Sequence, residues 1–152
     1  TGLSVIEHQI RTIYRYKELR SAVDDSIYIM PVLQGYKPNE YQNHIRQYGD
    51  LLPENAWVGV GSVCKRNSSI QAVEEVLFAI ADLRDDLRLH GFGLKQTALT
   101  SHAVRSMLVS CDSMAWSYNA RMNGGDANDW RNAKKYAKKI ETMSLQTNLF
   151  VE

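Results

Sequence analysis

Apolar and polar positions along the chain follow two alternating patterns, one typical of helices and one typical of buried strands. Ser4 and Glu7 stand three residues apart, which is the spacing of a helix capping box, and a helical apolar stripe follows them to about residue 22. Residues 27–33 then form a short, almost purely apolar run. Such a run is typical of a strand that is buried on both faces of a parallel sheet.

The same succession of helix and strand repeats through the rest of the chain. Further helices are predicted over residues 38–51, 68–83, 101–109 and 128–142, and further strands over residues 57–63, 87–94 and 111–117. Ser68 and Gln71 form a second capping-box spacing, at the start of the 68–83 helix. Strands that recur about every 25 to 30 residues between helices predict right-handed βαβ units and a parallel sheet.

Four such strands are half of a (β/α)8 barrel, because a full barrel takes about 250 residues. The fold class is therefore predicted as α/β, with the 152 residues forming one (β/α)4 segment, the C-terminal half of a TIM-type barrel. The pattern alone fits a small, complete, doubly wound α/β domain equally well. Because residue 1 is Thr and a helix begins almost at once, we expect a fragment of a longer protein.

Composition narrows the class of protein without identifying it. Apolar residues make up 44% of the chain and the net charge is +1, so nucleic-acid binding would need a local basic patch. Cys64 and Cys111 form no CxxC pair, which argues against a disulfide scaffold or a zinc site, and no metal or cofactor is expected. No apolar run approaches the about 20 residues of a membrane span, and we expect a reducing, cytoplasmic location without a membrane partner.

In both architectures the functional residues lie where parallel strands end. Gln34 ends an apolar strand, and its amide can donate to and accept from the edge of a planar ring, although a surface turn would also explain it. Asp112 lies in the last predicted strand, where a carboxylate can be a nucleophile, a general base or a helix cap. Glycines recur in the second and third strands, where they would clear one face for a flat ligand or simply let the interior pack.

Basic side chains follow several of the predicted strand ends. Lys65, Arg66 and Lys95 lie just past strand ends, and Arg121 precedes two glycines in a predicted flexible loop. These side chains can neutralise phosphates, although many loop lysines are merely solvated. The lysines of the 128–142 helix are interpreted as a solvated face.

Taken together, the strand ends resemble those of the guanine transglycosylase superfamily, which includes the queuine tRNA-ribosyltransferases, and most closely the DpdA-type deazapurine DNA transglycosylases. The segments that carry the resemblance are PVLQGY, WVGVGSVCKRN, LHGFGLK and CDSMAWSYNAR. They resemble, in order, a strand end with a base-reading Gln, a Gly-rich base-binding segment, a Gly-containing floor and the strand of a nucleophilic Asp. The resemblance extends over about residues 4–130.

The resemblance implies exchange of guanine for a 7-deazaguanine such as preQ0 in DNA or tRNA. Asp112 would attack the sugar C1′ and form a covalent intermediate. The residues that would bind the substrate are Gln34, Gly35, Gly59, Val60, Gly61, Ser62, His90, Gly91, Phe92 and Gly93. The residues that would contact the nucleic acid are Lys65, Arg66, Lys95 and Arg121.

The sequence also departs from the pattern of the tRNA enzymes. Those enzymes carry a Cys-rich zinc site after the barrel, an acidic residue where this chain has Lys65, and an acid/base Asp in the first barrel half. We therefore expect a missing N-terminal barrel half as a partner, or self-association through open strand edges. A non-catalytic half-barrel that binds a purine base or a nucleic acid stays open, as does an unrelated enzyme that acts on a small phosphorylated molecule.

Overall fold

The computed structural model describes residues 2–66 and 69–148 and shows an α/β fold with one four-stranded parallel sheet. The described helices are α1 (Val5–Ala22), α2 (Pro38–Tyr48), α3 (Ile70–Leu83), α4 (His102–Met107), α5 (Ala115–Met122) and α6 (Trp130–Asn148). The strands are β1 (Val32–Leu33), β2 (Trp57–Val60), β3 (Arg88–Gly91) and β4 (Leu108–Cys111). None of the described helices is both long and apolar enough to cross a membrane.

The order of the strands in the sheet is the same as their order in the chain. Each strand pairs in parallel with the next one, and a helix lies between successive strands in the sequence. In a doubly wound sheet the spatial order of the strands reverses at a switch point, and the described strands show no such reversal. The α/β class and the parallel sheet are therefore confirmed.

The core lies on one face of the sheet, under the helices. Val58, Val60 and Leu89 are buried there and pack into a cluster with side chains of α2 and α3. Because side chains alternate between the faces of a strand, Trp57 and His90 lie on the opposite face. One face thus stabilises the fold, while the other can carry a site.

Serine hydroxyls cap three of the described helices, and the sequence predicts the cap of α1. The capping box of Ser4 and Glu7 is present, with the Glu7 N–H donating to Ser4 Oγ at 3.3 Å and the Ser4 N–H donating to Glu7 Oε2 at 2.7 Å. Ser68 lies outside the described residues, and Ser69 caps α3 instead by accepting from the Ala72 N–H. Ser101 caps α4 in the same way.

The last predicted strand, over residues 111–117, was wrong. The strand is Leu108–Cys111, because α4 has only six residues and the apolar Leu108–Val109 pair begins the strand directly after it. Residues 115–122 form α5, so Arg121 lies in a helix rather than in a flexible loop. The other predicted strands are also shorter than expected. The first lacks residues 27–31 at its amino end, and the second and third end at Val60 and Gly91, where loops and 3₁₀ turns follow.

An ion pair ties together the loops at the amino edge of the sheet. Arg84 Nε donates to Asp86 Oδ1 at 2.6 Å, and its Nη1 and Nη2 donate to the carbonyls of Leu52 and Pro53. Asp86 also accepts the N–H of Asn55 at 2.9 Å. The hydrogen bond from Arg84 lowers the pKa of Asp86 to about 2, so the pair stays ionised at all ordinary pH values.

Apolar side chains remain exposed beside both outer strands of the sheet. Leu19 of α1 and the residues Ile27 and Tyr28, which shortly precede β1, are about half exposed. Met114 and Tyr118, which follow β4, are exposed to a similar degree. Since water-exposed apolar patches commonly mark contact surfaces, both ends of the sheet are candidates for contact with another part of a protein.

Candidate functional site at the carboxyl edge of the sheet

The strand ends bring Gln34 and Asp112 to the same edge of the sheet. Gln34 follows the last residue of β1, and Asp112 follows the last residue of β4. Because all four strands are parallel, both residues lie at the carboxyl edge, as the sequence predicts. Three inter-strand steps of about 4.8 Å would separate them by about 14 Å in a flat sheet, and a curved sheet would bring them closer.

The Asp112 carboxylate is held through one of its two oxygens. Oδ1 accepts the backbone N–H of Gly93 at 2.9 Å and lies 3.4 Å from His90 Nε2. The Asp112 side chain is 53% exposed, and within the described residues no hydrogen bond reaches Oδ2. The carboxylate is thus fixed in orientation while Oδ2 remains accessible from outside.

His90 stands between Asp112 and Ser110. Its Nδ1 lies 2.8 Å from Ser110 Oγ, and its side chain is only 14% exposed. The ring packs edge-on against Phe92 and Trp57, with centroid distances of 4.8 and 6.2 Å. When the Ser110 hydroxyl donates to Nδ1, the proton of a neutral His90 sits on Nε2 and faces the carboxylate. The three side chains then form a row, Ser110–His90–Asp112.

Gly93 can donate its N–H to Asp112 because of its backbone conformation. Its φ is +63°, in the left-handed region that disfavours other residues. A Cβ atom at this position would lie 3.0 Å from Cys64 Cβ, which is tighter than ordinary packing allows. The turn after β3 therefore needs glycine in order to direct its N–H at Asp112.

A buried polar network fixes the backbone of Gln34. The Gln34 N–H donates to His44 Nδ1 at 2.8 Å, and Gln9 Nε2 donates to the Gln34 carbonyl at 2.7 Å. His44 Nε2 in turn lies 3.2 Å from the Gln9 carbonyl, so His44 is a neutral imidazole with its proton on Nε2. Burial of the imidazole lowers the pKa of His44 to about 4.

The side chain of Gln34 lies beside the loop after β2. Ser62 Oγ is 3.5 Å from Gln34 Oε1, and a Cβ on Gly61 would lie 3.0 Å from the same oxygen. Gly61 therefore allows the amide to lie close against this loop. Sequence reasoning found Gln34, Gly61 and Ser62 but missed Gln9 and His44, whose role depends on contacts between α1 and α2.

The glycines of β2 and β3 do not clear a single face, and that expectation was wrong. Gly59 pairs with His90 whereas Gly91 pairs with Val60, so the two glycines face opposite sides of the sheet. A Cβ on Gly59 would lie 2.3 Å from the Phe92 ring. A Cβ on Gly91 would instead meet Leu94 at 2.5 Å, on the core side. Gly59 thus makes room for Phe92, and Gly91 makes room for the core.

The remaining predicted site residues lie at several places along the edge. Val60 is fully buried in the core, so only its backbone faces the edge, and Gly35 is buried against the Tyr41 ring. Lys65 lines a cleft of about 300 Å³ that Gln34, Gly35 and Ser62 also line. The basic residues beyond this cleft are Arg66, whose guanidinium lies 4.8 Å from the Tyr36 ring centroid, and the exposed Lys95 and Arg121.

The described residues contain no group of three or more His, Cys, Asp or Glu side chains that could hold a metal ion. The candidate site therefore consists of the Asp112 carboxylate, the Gln34 amide, the Ser110–His90–Asp112 row and the basic residues named above. In open parallel α/β sheets, ligands bind in the crevice outside the carboxyl ends of the strands, so this edge is the candidate site.

A family model described as "DpdA: DeoxyPurine in DNA protein A" matches residues 1–139. The chain therefore belongs to the DpdA family, and the resemblance of its strand ends is confirmed. Membership implies a role in DNA modification that involves a deazapurine, with DNA as the substrate. Neither a curated protein nor a solved structure matches the chain.

We expect substitution His44→Asn to flatten the dependence of stability on pH. The folded state lowers the pKa of His44 from 6.5 to about 4, so the unfolded state binds more protons between these values and stability falls as the pH falls. The loss between pH 7 and pH 5 is about 2 kcal/mol for this group. Urea unfolding at the two pH values measures it. The exposed His102 gives the control, and His102→Asn should keep the slope of the wild type.

We expect Gly93→Ala to be more destabilising than Gly124→Ala. Both glycines have positive φ values, +63° and +71°, so both substitutions carry the cost of about 1–2 kcal/mol for a left-handed residue. Only Gly93 would also press its new Cβ against Cys64, since nothing lies within 4 Å of a Cβ at Gly124. Urea unfolding of both variants measures the difference, and equal losses would contradict the crowding at Cys64.

Proposed function

We propose that the protein exchanges guanine for a 7-deazaguanine base, such as preQ0, in DNA, with Asp112 as the nucleophile. The observation that carries this proposal is the position of Asp112. Its half-exposed carboxylate lies at the same sheet edge as Gln34 and is held by one oxygen only. Family membership supplies the substrate class.

The exchange needs two displacements at the sugar C1′. In the first, a lone pair of Asp112 Oδ2 forms a bond to C1′ while the C1′–N9 bond breaks, and its electron pair leaves with guanine, which takes up a proton. In the second, the ring nitrogen of the incoming base loses a proton and bonds to C1′, while the C1′–O bond returns its pair to the carboxylate. One proton is taken up and one is released, so the exchange is balanced.

Gln34 is suited to reading the edge of the base that is exchanged. Its amide both donates and accepts, and its backbone is fixed by Gln9 and His44. Ser62 borders the same cleft, and Gly61 leaves room for the amide beside it. A base in a duplex must leave the stack before it reaches such a pocket.

His90 and Ser110 act as positioning residues for the nucleophile. Ser110 fixes the tautomer of His90, and Nε2 then directs its proton at Asp112 Oδ1. The Gly93 N–H engages the same oxygen. Both donors therefore restrain Oδ1 and direct Oδ2 at C1′, which lowers the orientational cost of the attack.

We propose further that the sheet is half of a (β/α)8 barrel closed by an N-terminal half. The order of the strands without reversal is that of a barrel, and the exposed apolar residues beside β1 and β4 fit the seams of such a closure. Leu19 and Ile27 would pack at one seam, and Met114 at the other. The acid/base Asp that the resemblance implies would come from that half.

We expect Asp112→Asn to abolish covalent capture of DNA. An amide oxygen is too weak a nucleophile to displace guanine, so full-length protein incubated with guanine-containing DNA should form a denaturation-resistant adduct only with Asp112 intact. Gel electrophoresis under denaturing conditions measures the adduct, and incorporation of labelled preQ0 measures the exchange. Asp85→Asn, at an exposed carboxylate near the opposite edge, is the matched control and should behave as the wild type. An adduct of normal yield with Asp112→Asn would exclude Asp112 as the nucleophile.

We expect His90→Gln to retain more activity than His90→Asn. A glutamine amide can place a donor near the position of Nε2 and keep the contact to Asp112, whereas an asparagine amide reaches only the position of Nδ1, next to Ser110. At 3.4 Å the Nε2–Oδ1 contact is longer than a good hydrogen bond, so its loss is worth about 1 kcal/mol and kcat for His90→Asn should fall about fivefold.

The Michaelis constant for the incoming base should change little in His90→Asn, because Gln34 and not His90 reads the base in this proposal. Steady-state kinetics of base exchange separate the two parameters. Equal kcat values for the two His90 variants would show that the contact to Asp112 does not position the nucleophile.

A further inference from the structure

A cleft of about 430 Å³ lies between α5 and α6, away from the residues assigned so far. Its size is within the range of about 300–1,000 Å³ that is usual for ligand sites. The side chains that give it chemical character are two lysines, two asparagines and two aromatic residues, namely Lys135, Lys139, Asn119, Asn132, Trp116 and Tyr136. The cleft thus combines positive charge, amides and aromatic surface.

All four lysines of α6 are exposed, which fits the solvated face that the sequence indicates, and two of them also line the cleft. Lys135 and Lys139 stand four residues apart, so they share a helix face, and both line the cleft. Lys134 and Lys138 do not line it, and Lys134 Nζ lies 5.8 Å from the centroid of the Trp130 ring. Among the described side chains, no carboxylate forms an ion pair with Lys135 or Lys139.

Tyr136 contributes an aromatic ring to the cleft and carries a buried hydroxyl. It lines the cleft, and its hydroxyl is buried without a hydrogen-bond partner among the described residues. A buried hydroxyl without a partner is costly, so native structures rarely keep one without a reason. Because this hydroxyl is covered, a ligand in the cleft would reach it only after the neighbouring side chains shift, and ligand binding would depend on the lysines and Trp116.

The cleft adjoins the edge that carries the nucleophile. Ala115 lines it at the first position of α5, three residues after Asp112. Gln96, from the segment after β3, lines it as well. If the exchanged base of a DNA strand lies at Asp112, the neighbouring nucleotides of that strand would therefore lie toward this cleft.

We propose that the cleft between α5 and α6 binds a single-stranded segment of DNA next to the base that is exchanged. Lys135 and Lys139 neutralise backbone phosphates, and Trp116 stacks on a base, which is the combination that single-stranded nucleic-acid sites use. A single strand fits better than a duplex, because only an unstacked base offers its face to an aromatic ring. This inference rests on the proposed function for the identity of the strand.

The test measures binding rather than exchange. A fluorescently labelled single-stranded 12-nucleotide DNA is titrated with full-length wild-type protein, with Lys135→Ala/Lys139→Ala and with Lys134→Ala/Lys138→Ala. Both double variants lose the same charge from the same helix. We expect the first to bind about tenfold more weakly and the second to bind within twofold of the wild type.

Salt dependence gives the second measurement. Each phosphate contact on a single strand contributes about −0.7 to the slope of log K against log salt concentration, so loss of two contacts should make the slope about 1.4 units less negative. This change is expected only for Lys135→Ala/Lys139→Ala. Equal affinity losses and equal slopes in both double variants would show general charge attraction and would overturn the proposal.

Trp116 tests the aromatic part of the cleft. Trp116→Phe should bind the 12-mer almost as the wild type does, because it keeps an aromatic face, while Trp116→Ala should bind about tenfold more weakly. Tyr118→Ala, at an exposed aromatic residue of α5 that does not line the cleft, is the control. Binding by Trp116→Ala equal to that of Trp116→Phe would contradict stacking. These outcomes are independent of base exchange, so a wild type that binds through the cleft but forms no adduct would reject only the proposed function.

Discussion

The parallel pairing of four short strands is the constraint on which the rest of the structure depends. Because every strand runs in the same direction, every carboxyl end reaches the same edge, and the loops that follow them meet there. Val58 and Leu89 anchor the strands to the helices on one face, while His90 and Trp57 occupy the other. Residues that pack in the core and residues that face the candidate site thus alternate along the same strands.

Both central residues of the site are held by polar partners from neighbouring elements, Gln34 through its backbone and Asp112 through its side chain. Gln34 is held by Gln9 of α1 and His44 of α2, which are both buried and hydrogen-bonded. Asp112 is held by the turn after β3 and by His90. Satisfied networks of this kind are rigid, so the backbone that carries Gln34 and the Asp112 carboxylate are both held in place before any ligand arrives.

The sequence was sufficient to predict the strands' approximate places, the shared edge and the family, because short apolar runs followed by polar, glycine-containing segments are local features. It was insufficient for contacts between distant residues. His44 and Gln9 reveal their role only when α1 packs on α2, and the Phe92 ring over Gly59 depends on the register of β2 and β3. The last strand was misplaced because a helix of only six residues carries too little periodicity to mark where it ends.

The clamp of Arg84 and Asp86 lies at the amino edge, where it ties the turn before β3 to the one before β2. The carboxyl edge carries the candidate chemistry and shares no residue with that clamp. Mutations that lengthen or rewrite the loops after the strands can therefore accumulate while the scaffold keeps its stability. On such a scaffold, evolution can exchange the side chains of the carboxyl edge without first having to rebuild the fold.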